Sequence, residues 1–180
     1  MLLDRERSAL LVVDVQSRLA PAMAGSDGVV GRVRVLLEAA RRLGVPTLVS
    51  EQYPKGLGGT VEELAPSLGG AKVIPKTAFS CAREPEFAAA LRGLDRPQVV
   101  VCGMETHVCV LQTALDLQGQ GFAVHVAADA VGSRDTTRRD LGLARMRDAG
   151  CAIVDSEMVV FEWLGAAGTD EFKEVSRLIK

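Results

Sequence analysis

The sequence is poor in aromatic residues and has no long apolar run. Phe, Trp and Tyr make up 4% of its 180 residues, with one Trp and one Tyr, so few rings are available to stack a large planar ligand. No apolar run approaches the length that spans a bilayer, and acidic residues precede the first apolar stretch, in MLLDRERSALLVVDV. We therefore expect no membrane anchor and no signal peptide, and a cytoplasmic location.

The sequence also has no basic stripe, few histidines and no paired cysteines. The formal net charge is -2 with the signs mixed along the chain, so no basic stripe is available for a nucleic-acid partner. The two histidines have no ligand spacing with the cysteines, and the cysteines form no C-x-x-C. A metal site, a bound cofactor and a disulfide framework are therefore not expected from His107, His125, Cys81, Cys102, Cys109 and Cys151.

Short apolar runs alternate with helical patterns along almost the whole chain. The runs predict six strands, at residues 9–15, 46–50, 72–75, 98–102, 122–127 and 151–154. Apolar residues at helical spacing predict helices at residues 29–43, 84–91, 106–118 and 136–148. This alternation favours right-handed crossovers and a parallel sheet covered on both faces. We expect one α/β domain over residues 1–180, a three-layer, doubly wound, six-stranded parallel sheet.

Three residues that can carry chemistry stand at the ends of different predicted strands. Asp14 lies in VVDVQ at the end of the first strand, Lys76 follows the third in VIPKTAFS, and Cys109 follows the fourth. Each has a simpler explanation alone: a capping carboxylate, a solvated lysine and a packed helical cysteine. Ligands of doubly wound sheets bind beyond the carboxyl ends of the strands. Together the three residues indicate a nucleophile with a base and a cation.

Cys109 falls in the first turns of the helix predicted at residues 106–118. A helix N-terminus carries partial positive charge, and a neighbouring lysine lowers the pKa of a thiol further. We therefore expect the pKa of Cys109 to be lowered. Cys102, inside a predicted strand, is expected to be a packing residue. His107, at the start of the same helix, is expected to be a capping or surface residue.

Six segments carry a family resemblance, in order and over nearly the whole chain: LLVVDVQ, EQYPKGLGGTVEEL, PKTAFS, CGMETHVCVLQTALDL, AADAVGSR and LARMRDAG. They resemble the isochorismatase-like (cysteine hydrolase) superfamily. The second and fourth segments look closest to its isochorismatase domain-containing subgroup. The resemblance implies a parallel sheet in strand order 3-2-1-4-5-6. It also implies a homo-oligomer, commonly a dimer or a tetramer.

The resemblance implies a catalytic triad of Asp14, Lys76 and Cys109. It further implies a cis peptide bond between Met104 and Glu105, which would aim the amides of Glu105 and Cys109 at one point as an oxyanion hole. In the implied mechanism Asp14 takes the thiol proton and Lys76 steadies the charges. The thiolate then attacks a carbonyl carbon, and water hydrolyses the resulting thioester.

Departures from better known members of the superfamily narrow the class of reaction that we expect. Nicotinamidases of this superfamily bind a metal through an aspartate and histidines after the second strand, where this chain reads SEQYPKGLGGT and has no histidine. True isochorismatases hydrolyse a vinyl ether without a cysteine nucleophile, whereas this chain has Cys109. We therefore expect a metal-independent amidohydrolase that acts on a small amide or related C–N substrate.

Three alternatives stay open beside this expectation. One is a vinyl ether hydrolase of the isochorismatase type, with Asp14 as its acid. Another is a catalytically weak binding or scaffold protein on the same fold. The third, a nucleotide-binding oxidoreductase, is disfavoured because QSRLAPAMAG after the first strand lacks the G-x-G-x-x-G turn that cradles a pyrophosphate.

Four further residues are expected to line the substrate pocket: Gln16, Gln52, Tyr53 and Phe79. Gln16 lies two residues past Asp14 and would point to the same side of the sheet if the strand continued. Gln52 and Tyr53 follow the second strand, and Phe79 follows Lys76. Local structure is the alternative explanation for each of the four.

Overall fold

The centre of the protein, in a computed structural model that describes residues 1–179, is a six-stranded parallel sheet. Its strands are β1 (Ser8–Val13), β2 (Thr47–Gln52), β3 (Lys72–Lys76), β4 (Gln98–Met104), β5 (Ala123–Gly132) and β6 (Ala152–Val154). Their order in the sheet is β3-β2-β1-β4-β5-β6. The predicted fold class and strand order are therefore confirmed. The order reverses between β1 and β4, which makes the carboxyl ends of these strands the expected place for a ligand.

Seven α-helices connect and cover the strands in residues 1–179: α1 (Ser26–Leu43), α2 (Pro54–Leu57), α3 (Pro85–Gly93), α4 (Leu111–Gly119), α5 (Thr136–Asp148), α6 (Ser156–Leu164) and α7 (Asp170–Val175). A π-helical turn, Thr106–Val110, leads directly into α4. Short 3₁₀ segments occur at Ala20–Ala22, Glu62–Ser67, Cys81–Arg83 and Ser176–Ile179. Among these described residues, no helix has both the length and the apolar character needed to cross a membrane.

The alternation of side chains along each strand builds two apolar layers, one on each face of the sheet. Leu10 and Val12 of β1 point into the layer that α1, α6 and α7 cover. Leu11 and Val13 point into the opposite layer, which is covered by α3, α4 and α5. Since both faces are buried, the strands read as continuous apolar runs, which is why the sequence pattern located them.

Three differences from the sequence-based prediction bear on the site. β1 ends at Val13 rather than at residue 15, because Asp14 has a left-handed backbone with φ 51°. β5 extends to Gly132 rather than to residue 127, and an irregularity in its pairing with β4 lies between Val101 and Gly103. The helix predicted at residues 106–118 begins with the π-helical turn.

Gly103 allows β1 and β4 to approach closely just before the site. Its φ is 116°, and a Cβ atom placed there would lie 2.0 Å from the carbonyl oxygen of Val13. No L-residue fits both the torsion angle and the space, because the obstacle is backbone that the neighbouring strand cannot move. Gly103 therefore fixes the spacing of the two strands whose ends carry Asp14 and the π-helical turn.

We expect Gly103→Ala to lower the free energy of unfolding by more than about 3 kcal/mol, because the clash and the torsional strain add. Gly31→Ala is the matched control, since Gly31 lies inside α1 and an added Cβ atom would have nothing within 4 Å of it. That substitution should raise stability by about 0.5–1 kcal/mol. Urea unfolding of the two variants measures both values. Equal effects of the two substitutions would contradict the packing of β1 on β4.

Candidate active site

Asp14 is the first residue after β1, and its carboxylate is completely buried. Its left-handed backbone is uncommon for a residue other than glycine but is tolerated by Asp better than by most. Regular alternation would have placed the side chain opposite that of Val13. Instead, the carboxylate meets the hydroxyl of Ser50, which donates to Oδ1 at 2.7 Å, and the ammonium of Lys76.

Lys76 ends β3, and its side chain is buried beside this carboxylate. The distance from Lys76 Nζ to Asp14 Oδ2 is 2.8 Å, and neither side chain is exposed to solvent. The ammonium donates hydrogen bonds to three other oxygens: Oε1 of Gln52, the carbonyl of Ala78 at 3.2 Å and the carbonyl of Phe79 at 3.0 Å. An ammonium has three protons, which these three oxygens and Asp14 Oδ2 share.

Asp14 Oδ2 is paired with the Lys76 ammonium, which lies 2.8 Å away and bonds to the carboxylate side chain. A carboxylate oxygen has two lone pairs, and Oδ2 makes no other hydrogen bond of regular geometry within residues 1–179. Beside the contact with Lys76, Oδ2 therefore remains open to a neighbouring S–H or a substrate N–H.

The thiol beside the Asp14 carboxylate is that of Cys109. The residue lies in the π-helical turn, is 6% exposed and packs in the apolar layer under α3, α4 and α5. Burial raises the pKa of the Cys109 thiol, and the Asp14 carboxylate raises it further, both by its charge and through a side-chain hydrogen bond. Lys76 opposes these effects without overcoming them. The predicted lowering of the Cys109 pKa is therefore wrong.

The physical reason for this correction is that desolvation outweighs the helix terminus and the lysine. Lys76 is already paired with a carboxylate, so the pair presents little net charge to the sulfur. The lysine itself keeps its charge. Burial alone would lower the pKa of Lys76, but Asp14 and the two neighbouring thiols, Cys109 and Cys81, raise it above its ordinary value. In the resting site we therefore infer a thiol, a carboxylate and an ammonium.

The peptide bond between Met104 and Glu105, at the end of β4, is cis. After it the chain turns, and the amides of Val108 and Val110 donate to the carbonyl of Glu105 at 3.0 and 3.2 Å. The amide of Glu105 donates to no acceptor among residues 1–179. The Glu105 carboxylate accepts from the backbone and side chain of Arg134 at 3.2 and 3.0 Å, which ties this turn to the chain after β5.

Gln16 does not present its amide to a pocket as predicted. The strand does not continue past Val13, so the alternation on which that prediction rested does not apply. The Gln16 side chain is fully buried, donates to the carbonyls of Gln52 and Gly58 at 3.0 and 2.6 Å, and accepts from the Gln52 amide at 2.7 Å. Gln16 thus joins the loop after β2 to the end of β1.

The other three predicted pocket residues lie around Lys76. Gln52 accepts from the ammonium and donates to the carbonyl of Thr77 at 2.9 Å. Tyr53 donates its amide to the carbonyl of Lys76 at 2.9 Å, and Phe79 offers the carbonyl already described. The Tyr53 and Phe79 side chains are 56% and 54% exposed. Both rings therefore face solvent at the edge of the sheet where the buried triad lies.

Two residues of the site, Ser50 and Cys81, could not be recognised from the sequence. Ser50 is inside β2, and Cys81 follows the PKTAFS segment without any motif spacing. Alternation along β2 offered the available signal, because Ser50 shares a face with Leu48 and so is a polar residue pointing into an apolar layer.

His107 contacts the hydroxyl of Ser133 at 2.9 Å through Nδ1.

Two surface grooves lie away from the residues of the candidate site. One, of about 1110 Å³, runs between the start of α1 and the segment around Val61. The other, of about 660 Å³, lies between the end of α1 and the start of β3. Neither is lined by a triad residue. In the part of the chain that the structure describes, no group of three or more His, Cys, Asp or Glu side chains could hold a metal ion.

Comparison with known families places these residues in context. The model of the isochorismatase domain matches residues 8–158. Isochorismatase domain-containing protein 1 of Danio rerio is 44% identical over 96% of this chain, and the chain spans 61% of that relative's length. Isochorismatase domain-containing protein 2A of Mus musculus is 40% identical over 97% of this chain and 84% of its own length.

Solved structures are similar over 99% of this chain. A MAR1 ribonuclease from Caenorhabditis elegans is 38% identical, with a TM-score of 0.94 and 92% of its own chain covered. YcaC from Pseudomonas aeruginosa, solved with hexane-2,5-diol and covalent acrylamide, is 26% identical, with a TM-score of 0.89 and 95% covered. YcaC of Escherichia coli, an octameric hydrolase of unknown specificity, shares the fold at 24% identity, with a TM-score of 0.92 and 90% covered.

The buried thiols lead to an expected loss of stability at alkaline pH. All four cysteines are free, and burial raises the pKa of each above the ordinary value of 9.0. Above about pH 9 the unfolded chain releases thiol protons that the folded chain still holds. Each such thiol then lowers the free energy of unfolding by about 1.4 kcal/mol per pH unit.

Denaturant unfolding between pH 7.5 and 10 measures this slope. Cys102 is the fully buried thiol in β4, and Cys102→Ala should flatten the slope by about one thiol's share, even if the cavity lowers stability at every pH. Stability that stays constant or rises through pH 9–10 would contradict the burial of these thiols.

Proposed function

Because the chain belongs to the isochorismatase family, whose model matches residues 8–158, we propose that it is a metal-independent cysteine hydrolase. Its substrate is a small amide or a related compound with a scissile C–N bond. The observation that carries this proposal is the buried carboxylate of Asp14, whose Oδ2 lies 2.8 Å from the Lys76 ammonium and which has the Cys109 thiol beside it. It gives a base, a fixed positive charge and a nucleophile in one buried place.

The first half of the reaction forms a thioester. Sγ of Cys109 attacks the substrate carbonyl carbon while its proton passes to Asp14 Oδ2. The carbonyl electron pair moves onto oxygen, and the amides of Glu105 and Cys109 bind that oxyanion. The free amide of Glu105 supports this role, because a buried donor without an acceptor is the feature that an oxyanion hole requires. The C–N bond then breaks, and Asp14 returns its proton to the leaving nitrogen.

The second half regenerates the thiol. Water enters where the amine left, gives a proton to Asp14 and attacks the thioester carbon. The C–S bond breaks, the acid product leaves, and Asp14 returns the proton to sulfur. Lys76 stays an ammonium throughout, since the charge of Asp14 raises its pKa above the ordinary value despite burial. Its charge stabilises whichever of Asp14 and Cys109 is negative, without giving up a proton.

The exposed rings of Tyr53 and Phe79 support a small substrate with an apolar part. They flank the segment that holds Lys76, while the reacting groups lie beneath the surface, with Cys109 only 6% exposed. A large or highly charged substrate would have to bring its carbonyl carbon to this buried thiol. The relative named a ribonuclease does not change the proposal, because the formal charge of this chain is -2 and its signs are mixed.

We also propose a homo-oligomer, a dimer or a tetramer, and a cytoplasmic location. Free, buried thiols suit a reducing compartment. Leu141, Met158 and Phe161 are large apolar side chains left exposed on two helices, and they offer area for contact between copies. Light scattering of the purified protein should give two or four times the chain mass. A monomer at micromolar concentration would contradict the assembly, and the catalytic proposal would stand.

The nucleophile can be tested without knowing the substrate. Acrylamide, the small thiol reagent bound covalently in the Pseudomonas aeruginosa relative, should alkylate Cys109 faster than the other three cysteines. Asp14→Asn should slow this alkylation at least tenfold, because no base then takes the thiol proton. Cys151→Ala is the matched control, because it removes a buried thiol elsewhere. It should leave the alkylation rate of Cys109 unchanged. Peptide mass spectrometry measures each site; equal rates at all four cysteines would overturn the assignment.

The reaction itself can be tested by a screen of small amides, imides and carbamoyl compounds. Wild-type protein should release amine or ammonia and carry an acyl adduct on Cys109 after rapid acid quench, and Cys109→Ala should lose both. Activity that survives in Cys109→Ala would overturn the thioester mechanism in favour of acid catalysis by Asp14. A short single-stranded RNA belongs in the same screen. Its cleavage by wild type, but not by Cys109→Ala, would overturn the substrate class.

A further inference from the structure

The proposed mechanism assigns no role to Ser50, although its hydroxyl contacts the carboxylate of Asp14 directly. It is the fourth residue of β2 and pairs with Val13 of β1 in the parallel register. Its side chain is completely buried on the face of the sheet that contains Leu48. A buried hydroxyl in an apolar layer needs a partner, and the partner here is the carboxylate of Asp14.

Two hydrogen bonds join Ser50 to Asp14. The Ser50 hydroxyl donates to Oδ1 at 2.7 Å, and the Asp14 amide donates to the Ser50 carbonyl at 3.1 Å. The second bond fixes the backbone of Asp14 just after β1, and the first fixes the rotation of its carboxylate. With Oδ1 taken in this way, Oδ2 is the oxygen that contacts Lys76.

A second thiol lies behind the Ser50 hydroxyl. Cys81 is fully buried, and its amide donates to the hydroxyl of Thr113 at 2.9 Å. Thr113 lies four residues beyond Cys109, so this bond ties Cys81 to the helix that carries the nucleophile. The hydroxyls of Ser50 and Thr113 both face the Cys81 sulfur. Burial nevertheless raises the pKa of Cys81, and the charge of Asp14 raises it further, so it keeps its proton.

The direction of the hydrogen bonds follows from these partners. Since Cys81 remains a thiol and Asp14 can only accept, the Ser50 hydroxyl gives its single proton to Asp14 and turns its lone pairs toward Cys81. The hydroxyl therefore has one favourable orientation. Such an orientation removes rotational freedom from the carboxylate before any substrate binds, which is the condition that acid–base catalysis requires.

We propose that Ser50 is a positioning residue, whose hydroxyl holds Asp14 Oδ1 so that Oδ2 alone is presented to the Cys109 thiol. This inference rests on the proposed function, because it assigns the base and nucleophile to Asp14 and Cys109. It adds that the two carboxylate oxygens have separate tasks. Oδ1 is anchored to β2, and Oδ2 exchanges the proton.

A purely structural role would satisfy the same buried oxygen without affecting the proton transfer. The two roles differ in the pH dependence of the reaction at Cys109. A hydrogen bond to a carboxylate favours its charged form, so its removal moves the acidic limb of the rate profile to higher pH. Lost orientation also lowers the plateau rate above that limb. Lower stability alone changes neither quantity in the folded protein.

The test measures acrylamide alkylation of Cys109 against pH for wild type, Ser50→Ala and Ser50→Thr. Ser8→Ala is the matched control, because Ser8 is also a buried serine in a strand but donates to the carbonyl of Asp4 at the opposite end of the sheet. We expect Ser50→Ala to react about tenfold more slowly on the plateau, with its acidic limb about one pH unit higher. Ser50→Thr, which keeps the hydroxyl, should recover most of the rate, and Ser8→Ala should match wild type.

Each result separates this inference from the function on which it rests. If Asp14→Asn is slow but Ser50→Ala has the wild-type rate and profile, the positioning role is overturned and the nucleophile assignment stands. If Ser50→Thr, shown folded by circular dichroism, is as slow as Ser50→Ala, the hydroxyl is not the effective group and the inference also fails. If Asp14→Asn reacts at the wild-type rate, the proposed function fails, and the inference that rests on it fails as well.

Discussion

The buried ion pair between Asp14 and Lys76 is the interaction on which the site depends. Two opposite charges 2.8 Å apart with no solvent exposure are tolerated only if other polar groups complete their solvation. The protein provides these groups from the ends of neighbouring strands: a serine hydroxyl for one carboxylate oxygen, and an amide oxygen with two backbone carbonyls for the ammonium. The other carboxylate oxygen is paired with the lysine and makes no further hydrogen bond of regular geometry within residues 1–179.

That arrangement changes how the cysteine works. Many reactive cysteines are thiolates made stable by positive surroundings. Here the positive charge is already paired, and burial keeps Cys109 a thiol with a raised pKa. In the proposed mechanism the nucleophile is generated only as its proton moves to Asp14 during attack. The reactivity of Cys109 then depends on a base beside the thiol rather than on a preformed thiolate.

The sequence predicted those features that depend on periodicity and strand order. Buried parallel strands appear as apolar runs, and the rule that ligands lie beyond strand carboxyl ends brought Asp14, Lys76 and Cys109 together. Features that depend on local backbone conformation or on desolvation could not be predicted from the sequence. The left-handed turn at Asp14 cancels the alternation that had placed Gln16 beside it. The pKa of Cys109 depends on how deeply the chain buries the thiol, and Ser50 looks like any other strand residue until its partner is known.

The central claim is that Cys109 rests as a thiol beside the open oxygen of Asp14. Thiolates absorb ultraviolet light more strongly than thiols, so the difference in absorbance between wild type and Cys109→Ala reports the charge on this sulfur alone. Titration of the folded protein from pH 6 to 9 should show no thiolate that depends on Cys109. A thiolate signal already present at neutral pH, and lost in Cys109→Ala, would contradict the account.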